Sequence, residues 1–344
     1  MTNQSNTDFL NWLKVLACFA VVMIHTVSPL NVYYKDTFSD TEAYICVVLR
    51  NLWQWCIPLF LMISGTLFLS VKNISLDRML KKYVLRIVLA LFLFGIPFAY
   101  MEHLFSSGYV FSPNDILLSA QDVFTGNSWV HLWYLYVIIG IYLITPMLKT
   151  YVTNADRKQV KYLLILLFAF TSALPLCSLF FGFTTAFHLP ISSVYLFYFI
   201  LGYYIFQYDV TIPLPVLLGM LFLYFALTFA AAALPGVFIS GNNGMMLAWE
   251  YNSPIVAMCA FSLFCLFRQY AKSNQWINRF VPLTFGIYLI HKLFTNVIYR
   301  FFDSVPDKFP LPVIIAGVFV FSLVAAALCT ILLRKLAFVK KHIL

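Results

Sequence analysis

The chain has 344 residues, of which 62% are hydrophobic and 10% charged, with a mean hydropathy of +0.87. Soluble domains carry about 25% charged residues, so this composition excludes a soluble globular enzyme and indicates a polytopic membrane protein. The net charge of +9 does not indicate a nucleic-acid partner, because the Lys and Arg residues gather in short connections, where membrane topology explains them.

Ten apolar stretches approach bilayer length: residues 9–30, 48–70, 83–101, 129–148, 160–181, 190–207, 211–235, 253–268, 280–299 and 311–337. The sixth and eighth are short. No internal repeat, low-complexity segment or extended linker separates them, so residues 1–344 read as a single transmembrane domain. The expected fold is all-α, a bundle of about ten transmembrane helices. The first apolar run is long enough to span and is not followed by a cleavage site, so no signal peptide is expected.

Connection charges alternate along the chain. Lys72, Arg78, Lys81, Lys82 and Arg86 flank the second-to-third connection, and Lys149, Arg157, Lys158 and Lys161 the fourth-to-fifth. Arg268, Lys272 and Arg279 flank the eighth-to-ninth, and Arg334, Lys335, Lys340 and Lys341 form the tail. The intervening connections contain Asp36, Asp40, Glu42, Asp115 and Asp122. The positive-inside rule then places both termini in the cytoplasm, which agrees with an even number of spans. The longer connections, 31–47, 102–128 and 236–252, fall outside and are rich in turn-forming residues such as Ser112-Pro113-Asn114 and Ser240-Gly241-Asn242.

Polar residues within spans are costly and normally face a bundle interior or a wet cavity. Lys14 and His25 occupy the first stretch, eleven residues apart. On a continuous helix they lie on one face, about 16 Å apart along the axis. His25 suits a general base, or else it packs against a neighbouring backbone group. Lys14 either snorkels to the inner interface or receives a phosphate. Arg50 and Gln54 fall at the outer end of the second stretch, as pocket-lining or interfacial groups. Pro58 and Ser64-Gly65 mark a site of close packing or a notch for a narrow acyl chain. His131 and Trp133 open the fourth stretch, where aromatic belt residues are expected. His291-Lys292 lies mid-way along the ninth. Glu102-His103 and Glu250 are carboxylate-bearing candidates to partner an outer histidine.

Seven cysteines form no CxxC and no Cys/His cluster. They read as small buried hydrophobes, and no metal is expected. No GxSxG, Walker A or HExxH segment is present, which disfavours membrane hydrolases, ATP-driven pumps and zinc proteases.

These pieces occur in an order that resembles the acyltransferase 3 family of integral membrane acyltransferases. The resemblance rests on Lys14 and His25, Pro58-Leu59-Phe60-Leu61-Met62-Ile63-Ser64-Gly65, Lys81-Lys82-Tyr83-Val84-Leu85-Arg86, His131-Leu132-Trp133-Tyr134-Leu135, and Ile287-Tyr288-Leu289-Ile290-His291. The family often has an Arg-x-x-Arg pair in the third of these, and here Tyr83 replaces its first arginine. Val21-Val22-Met23-Ile24-His25-Thr26 and Met62-Ile63-Ser64-Gly65 look most like the stand-alone enzymes that O-acetylate enterobacterial common antigen.

The resemblance implies a multi-pass protein of the bacterial inner membrane with an acyl-CoA donor, acetyl-CoA foremost, and a glycan or lipid-linked glycan acceptor. Lys14, Lys82, Arg86 and His291 are then expected to bind the donor. His25 deprotonates the acceptor hydroxyl or relays the acyl group, oriented by His131 or Glu102. Arg50, Gln54 and Trp133 are expected on the acceptor side. No nucleic acid is expected as a partner. The rival expectation is a glycan or solute carrier without covalent chemistry, which buried polar residues and broken helices also fit.

Overall fold

A computed structural model describes residues 7–30, 39–71, 75–108, 110–183, 189–191, 193–233, 249–303 and 309–344. In chain order its helices are α1 (Phe9–Val27), α2 (Asp40–Leu52), α3 (Cys56–Leu69), α4 (Leu85–Ser106), α5 (Asn114–Thr125), α6 (Trp133–Asn154), α7 (Arg157–Phe168) and α8 (Leu174–Phe181). They continue with α9 (Val194–Gln207), α10 (Leu214–Ala233), α11 (Pro254–Tyr270), α12 (Gln275–Phe280), α13 (Thr284–Asp303), α14 (Leu311–Leu333) and α15 (Ala337–His342). No strand occurs among the described residues.

Seven helical segments are long and apolar enough to cross a membrane: Phe9–Val27, Thr41–Leu69, Leu76–Ser106, Val130–Asn154, Arg157–Ser178, Gln275–Arg300 and Leu311–Leu333. The other three expected stretches are apolar but shorter helices, Val194–Gln207, Leu214–Ala230 and Pro254–Tyr270. Large apolar side chains face outward along them, including Phe222 and Phe229 on α10 and Val320, Phe321 and Leu328 on α14. Such surfaces suit contact with lipid.

The chain divides into two compact units, each built from two separate stretches of sequence: Met1–Val71 with Lys149–Val281, and Lys72–Leu148 with Pro282–Leu344.

In the first unit, α3 and α9 cross with their backbones in contact. A methyl group added to Gly65 would collide with the Phe199 carbonyl, and one on Gly202 with the Met62 carbonyl. Small residues permit this approach between helices in lipid. The Ser64-Gly65 notch is therefore filled by protein backbone and holds no acyl chain. The second expected stretch is broken: α2 ends at Leu52, and α3 restarts at Cys56. Pro58 thus falls in the first turn of a helix, where its missing N–H costs nothing. The α2 end begins earlier than expected because Ser39 and Glu42 form a capping box, the Ser39 N–H donating to the Glu42 carboxylate at 3.0 Å.

In the second unit, a π-helical segment, Met79–Val84, leads into α4. The connection expected over 102–128 as turns contains α5. Its turn-type residues serve as helix ends: Pro113 precedes Asn114, and Gly126 closes the helix at φ 83°. Val123 of α5 packs over Gly95 of α4, and α13 meets α14 where Gly286 faces the Thr330 side chain. The expected connection 236–252 lies largely outside the described residues.

Gly65→Ala and Gly202→Ala are each expected to destabilise the protein by about 1–3 kcal/mol through overpacking. Gly219→Ala, in open space on the outside of α10, is expected to be neutral or to stabilise by about 0.5–1 kcal/mol. Thermal unfolding of the detergent-solubilised variants checks the contrast.

Candidate active site

α1 is continuous from Phe9 to Val27, so Lys14 and His25 share a face as expected from their spacing. Both are half-buried, and Cys18 and Val21, between them on that face, are buried. The polar ends of this face are thus separated by an apolar middle about 16 Å long. Among the described residues Lys14 forms no ion pair.

Also in the first unit, Arg50 lies 4.0 Å from Glu250. Glu250, expected as a partner for an outer histidine, is thus placed beside a guanidinium. Gln54 is buried at the break between α2 and α3.

In the second unit the site residues are held by backbone carbonyls. His131 sits in a single 3-10 turn, Val130–Leu132, just before α6. It is 1% exposed, and its Nε2 lies 3.0 Å from the Leu289 carbonyl oxygen. The Tyr288 hydroxyl returns the tie by donating to the His131 carbonyl at 2.5 Å. His291 is fully buried, with Nδ1 at 3.0 Å from the Ile287 carbonyl and 2.8 Å from that of Tyr288. A carbonyl only accepts, so His131 carries its proton on Nε2 and His291 on Nδ1. The two rings meet edge to face, with centroids 5.2 Å apart. Trp133, at the start of α6, is half-buried against Tyr134 with centroids 6.2 Å apart.

The basic cluster of the second unit straddles the π-helical segment, a distortion frequent at functional sites. Lys82 is exposed, with Nζ 5.7 Å from the Tyr83 ring centroid. Arg86 is half-buried; its Nε donates to the Ile343 carbonyl at 2.8 Å, and its guanidinium lies 5.7 Å from the Phe285 ring centroid. The C-terminal turn and α13 thereby fix the direction of this cation. Glu102 is exposed and lines a cavity shared with Lys292.

Sequence reasoning missed Tyr288 as the second half of the tie to His131, and Asn296 as a cavity residue. The available signal for Asn296 was its spacing: Lys292, Asn296 and Arg300 recur every four residues along α13. Asp122 was noted only as an outer acid; it pairs with His103 at 2.7 Å. No group of three or more His, Cys, Asp or Glu able to hold a metal ion occurs among the described residues. Five cysteines are buried, and Cys177 is exposed.

Long apolar helices, polar side chains held from inside the bundle and outward apolar faces define a multi-pass membrane protein. Residues 7–331 match the family described as an acyltransferase domain, acyltransferase 3, and the chain belongs to that family. It is a membrane acyltransferase, acting between an acyl donor and an acceptor. No curated protein and no solved structure gave a match.

Tyr288→Phe is expected to leave the buried His131 carbonyl without its donor and to cost about 1–3 kcal/mol. A lowered unfolding midpoint, with transfer activity reduced at temperatures where the variant stays folded, checks this.

Proposed function

We propose that this protein moves an acetyl group from cytoplasmic acetyl-CoA to a hydroxyl of a cell-surface glycan or its lipid-linked precursor, in the bacterial inner membrane. The segments 21–26 and 62–65, which resemble those of the enzymes that O-acetylate enterobacterial common antigen, support this reading. The observation that carries this reading is the continuous face of α1 with Lys14 at one end and His25 about 16 Å further on, in a chain whose family transfers acyl groups. An imidazole at that depth meets a thioester brought from one side and a hydroxyl from the other.

In the proposed step His25 removes the proton from the acceptor hydroxyl as its oxygen attacks the thioester carbonyl. The carbon–sulfur bond breaks, the ester bond forms, and the CoA thiolate leaves and takes up the proton. In a covalent variant of the same chemistry, the imidazole accepts the acyl group first and passes it to the hydroxyl. Lys14, Lys82 and Arg86 are assigned to the donor's phosphates. Arg86 suits that role because its half-buried guanidinium is already oriented, so little freedom is lost on binding. His291 lies deeper and is assigned to the donor's acyl-bearing end. Arg50, Gln54 and Trp133 are assigned to the acceptor side.

His25→Ala is expected to lower CoA release from acetyl-CoA, with acceptor present, by about 10²–10⁴-fold, while the purified protein stays monodisperse and helical by circular dichroism. Unchanged turnover removes His25 from the mechanism, and a chain that never releases CoA favours transport over transfer.

Arg86→Gln is expected to raise KM for acetyl-CoA about tenfold to a hundredfold, as loss of a charged hydrogen bond implies. Steady-state kinetics at saturating acceptor measure this, and an unchanged KM sinks the assignment.

A further inference from the structure

The second unit contains a cavity of about 370 Å³ lined by Glu102, His103, Asp122, Trp129, Lys292 and Asn296, among others. That volume lies at the lower end of small-molecule sites, about 300–1,000 Å³. Its chemistry is mixed. Asp122 is held by His103 at 2.7 Å. Glu102, Lys292 and Asn296 make no side-chain hydrogen bond or close ion pair among the described residues, so a carboxylate, an ammonium and an amide line the cavity with their hydrogen-bonding positions uncommitted. Trp129 is 7% exposed, and its buried indole N–H has no hydrogen-bond partner among the described residues. Buried tryptophans usually satisfy that group.

These groups discriminate between ligand classes. A phosphate or carboxylate ligand meets the Glu102 carboxylate beside Lys292, while His103 is already committed to Asp122. A simple cation meets Lys292. A neutral ring bearing several hydroxyls, or an acetamido group, can donate to Glu102, accept from Lys292 and the indole N–H, and do both with Asn296. The cavity also adjoins the buried imidazoles: the Trp129 ring lies 6.1 Å from His131, which is 5.2 Å from His291, centroid to centroid. Lys292 directly follows His291 on α13.

We infer that this cavity is the acceptor subsite, that it takes one neutral sugar residue, and that it selects against anionic sugars. Calling the ligand an acceptor rests on the acyltransferase reading above; the binding itself does not. In this assignment Glu102 holds the acceptor and does not orient an imidazole, and Lys292 and Asn296 fix which hydroxyl points inward.

Thermal stabilisation of the full chain in detergent, without acetyl-CoA, tests this with methyl N-acetyl-β-D-glucosaminide, methyl β-D-glucoside and methyl β-D-glucuronide. At least one neutral glycoside is expected to raise the unfolding midpoint saturably, with the glucuronide at least tenfold weaker. Glu102→Gln and Asn296→Ala are each expected to weaken the neutral ligand at least tenfold, and Glu102→Gln to narrow its advantage over the glucuronide. The assignment is overturned if no neutral glycoside stabilises the protein, if the glucuronide binds as tightly, or if both variants bind like the parent. Should a variant not fold, the comparison of neutral and anionic ligands on the parent chain decides alone. CoA release, measured separately, reports on the acyltransferase reading: sugar binding without CoA release would fail that reading and leave the subsite standing.

Discussion

Inside a lipid-embedded helical bundle there is little water to satisfy a polar group, so backbone carbonyls become its acceptors. Several serine and threonine hydroxyls of this chain meet that constraint in one way. Thr26, Thr66, Thr145, Thr228, Ser262 and Thr330 each donate to the carbonyl one turn before them on the same helix. These bonds stay within one helix and fix nothing between helices. His291 follows the same habit, bonding to the carbonyls of Ile287 and Tyr288. His131 departs from it: its ring reaches the Leu289 carbonyl on α13, and the Tyr288 hydroxyl reaches back. That reciprocal pair is an inter-element tie in a setting where an unsatisfied group costs several kcal/mol. It also decides which ring nitrogen of His131 faces a carbonyl and carries the proton, a matter of chemistry set by packing.

Close helix packing supplies the rest of the order. Gly65 against Phe199 and Gly202 against Met62 bring two helices together at the backbone, where dispersion replaces the hydrophobic drive that lipid does not provide. Gly286 against Thr330 repeats the arrangement in the second unit. Because Gly286 lies within a turn and a half before Tyr288, Leu289 and His291, the glycine contact sets the height of α13 from which those carbonyls and rings are presented.

Much of this was legible in the sequence, and the exceptions have specific causes. Hydropathy found the apolar helices among the described residues, and length marked the sixth and eighth as short; only the seventh, Leu214–Ala230, was taken as longer than it is. The Lys14–His25 spacing needed only the helical repeat, since α1 has no proline or glycine to interrupt it. Pro58 did not reveal the helix break: within an apolar run nothing marks Trp53–Trp55 as the interruption that makes Pro58 a first-turn residue. Ser112-Pro113-Asn114 misled for a related reason: helix-capping residues and loop residues are the same residues, and only the amphipathic run through Val123 distinguishes the two. The pairing of His103 with Asp122 was invisible because it joins α4 to a helix that was not expected. His131 and His291 were legible as polar residues in apolar surroundings, whereas their partners are backbone carbonyls that no local pattern encodes.

The second unit also constrains how a donor and an acceptor can be brought together. Arg86 lies at the start of α4 and Glu102 near its end, sixteen residues on, which is about 24 Å along a helix axis and most of a hydrocarbon core about 30 Å thick. A phosphate held at Arg86 and a sugar seated beside Glu102 therefore cannot share one pocket. Transfer between them requires that one substrate extend through the protein. A sugar is rigid and heavily hydrated, so carrying it inward exposes many hydroxyls to apolar walls at a cost for each one left unpaired. A thioester at the end of a long flexible arm carries few polar groups and can be threaded at far lower cost. Under the proposed assignments, then, the acyl group is the part that travels, with the charged head of its carrier and the acceptor at opposite ends of the same helix.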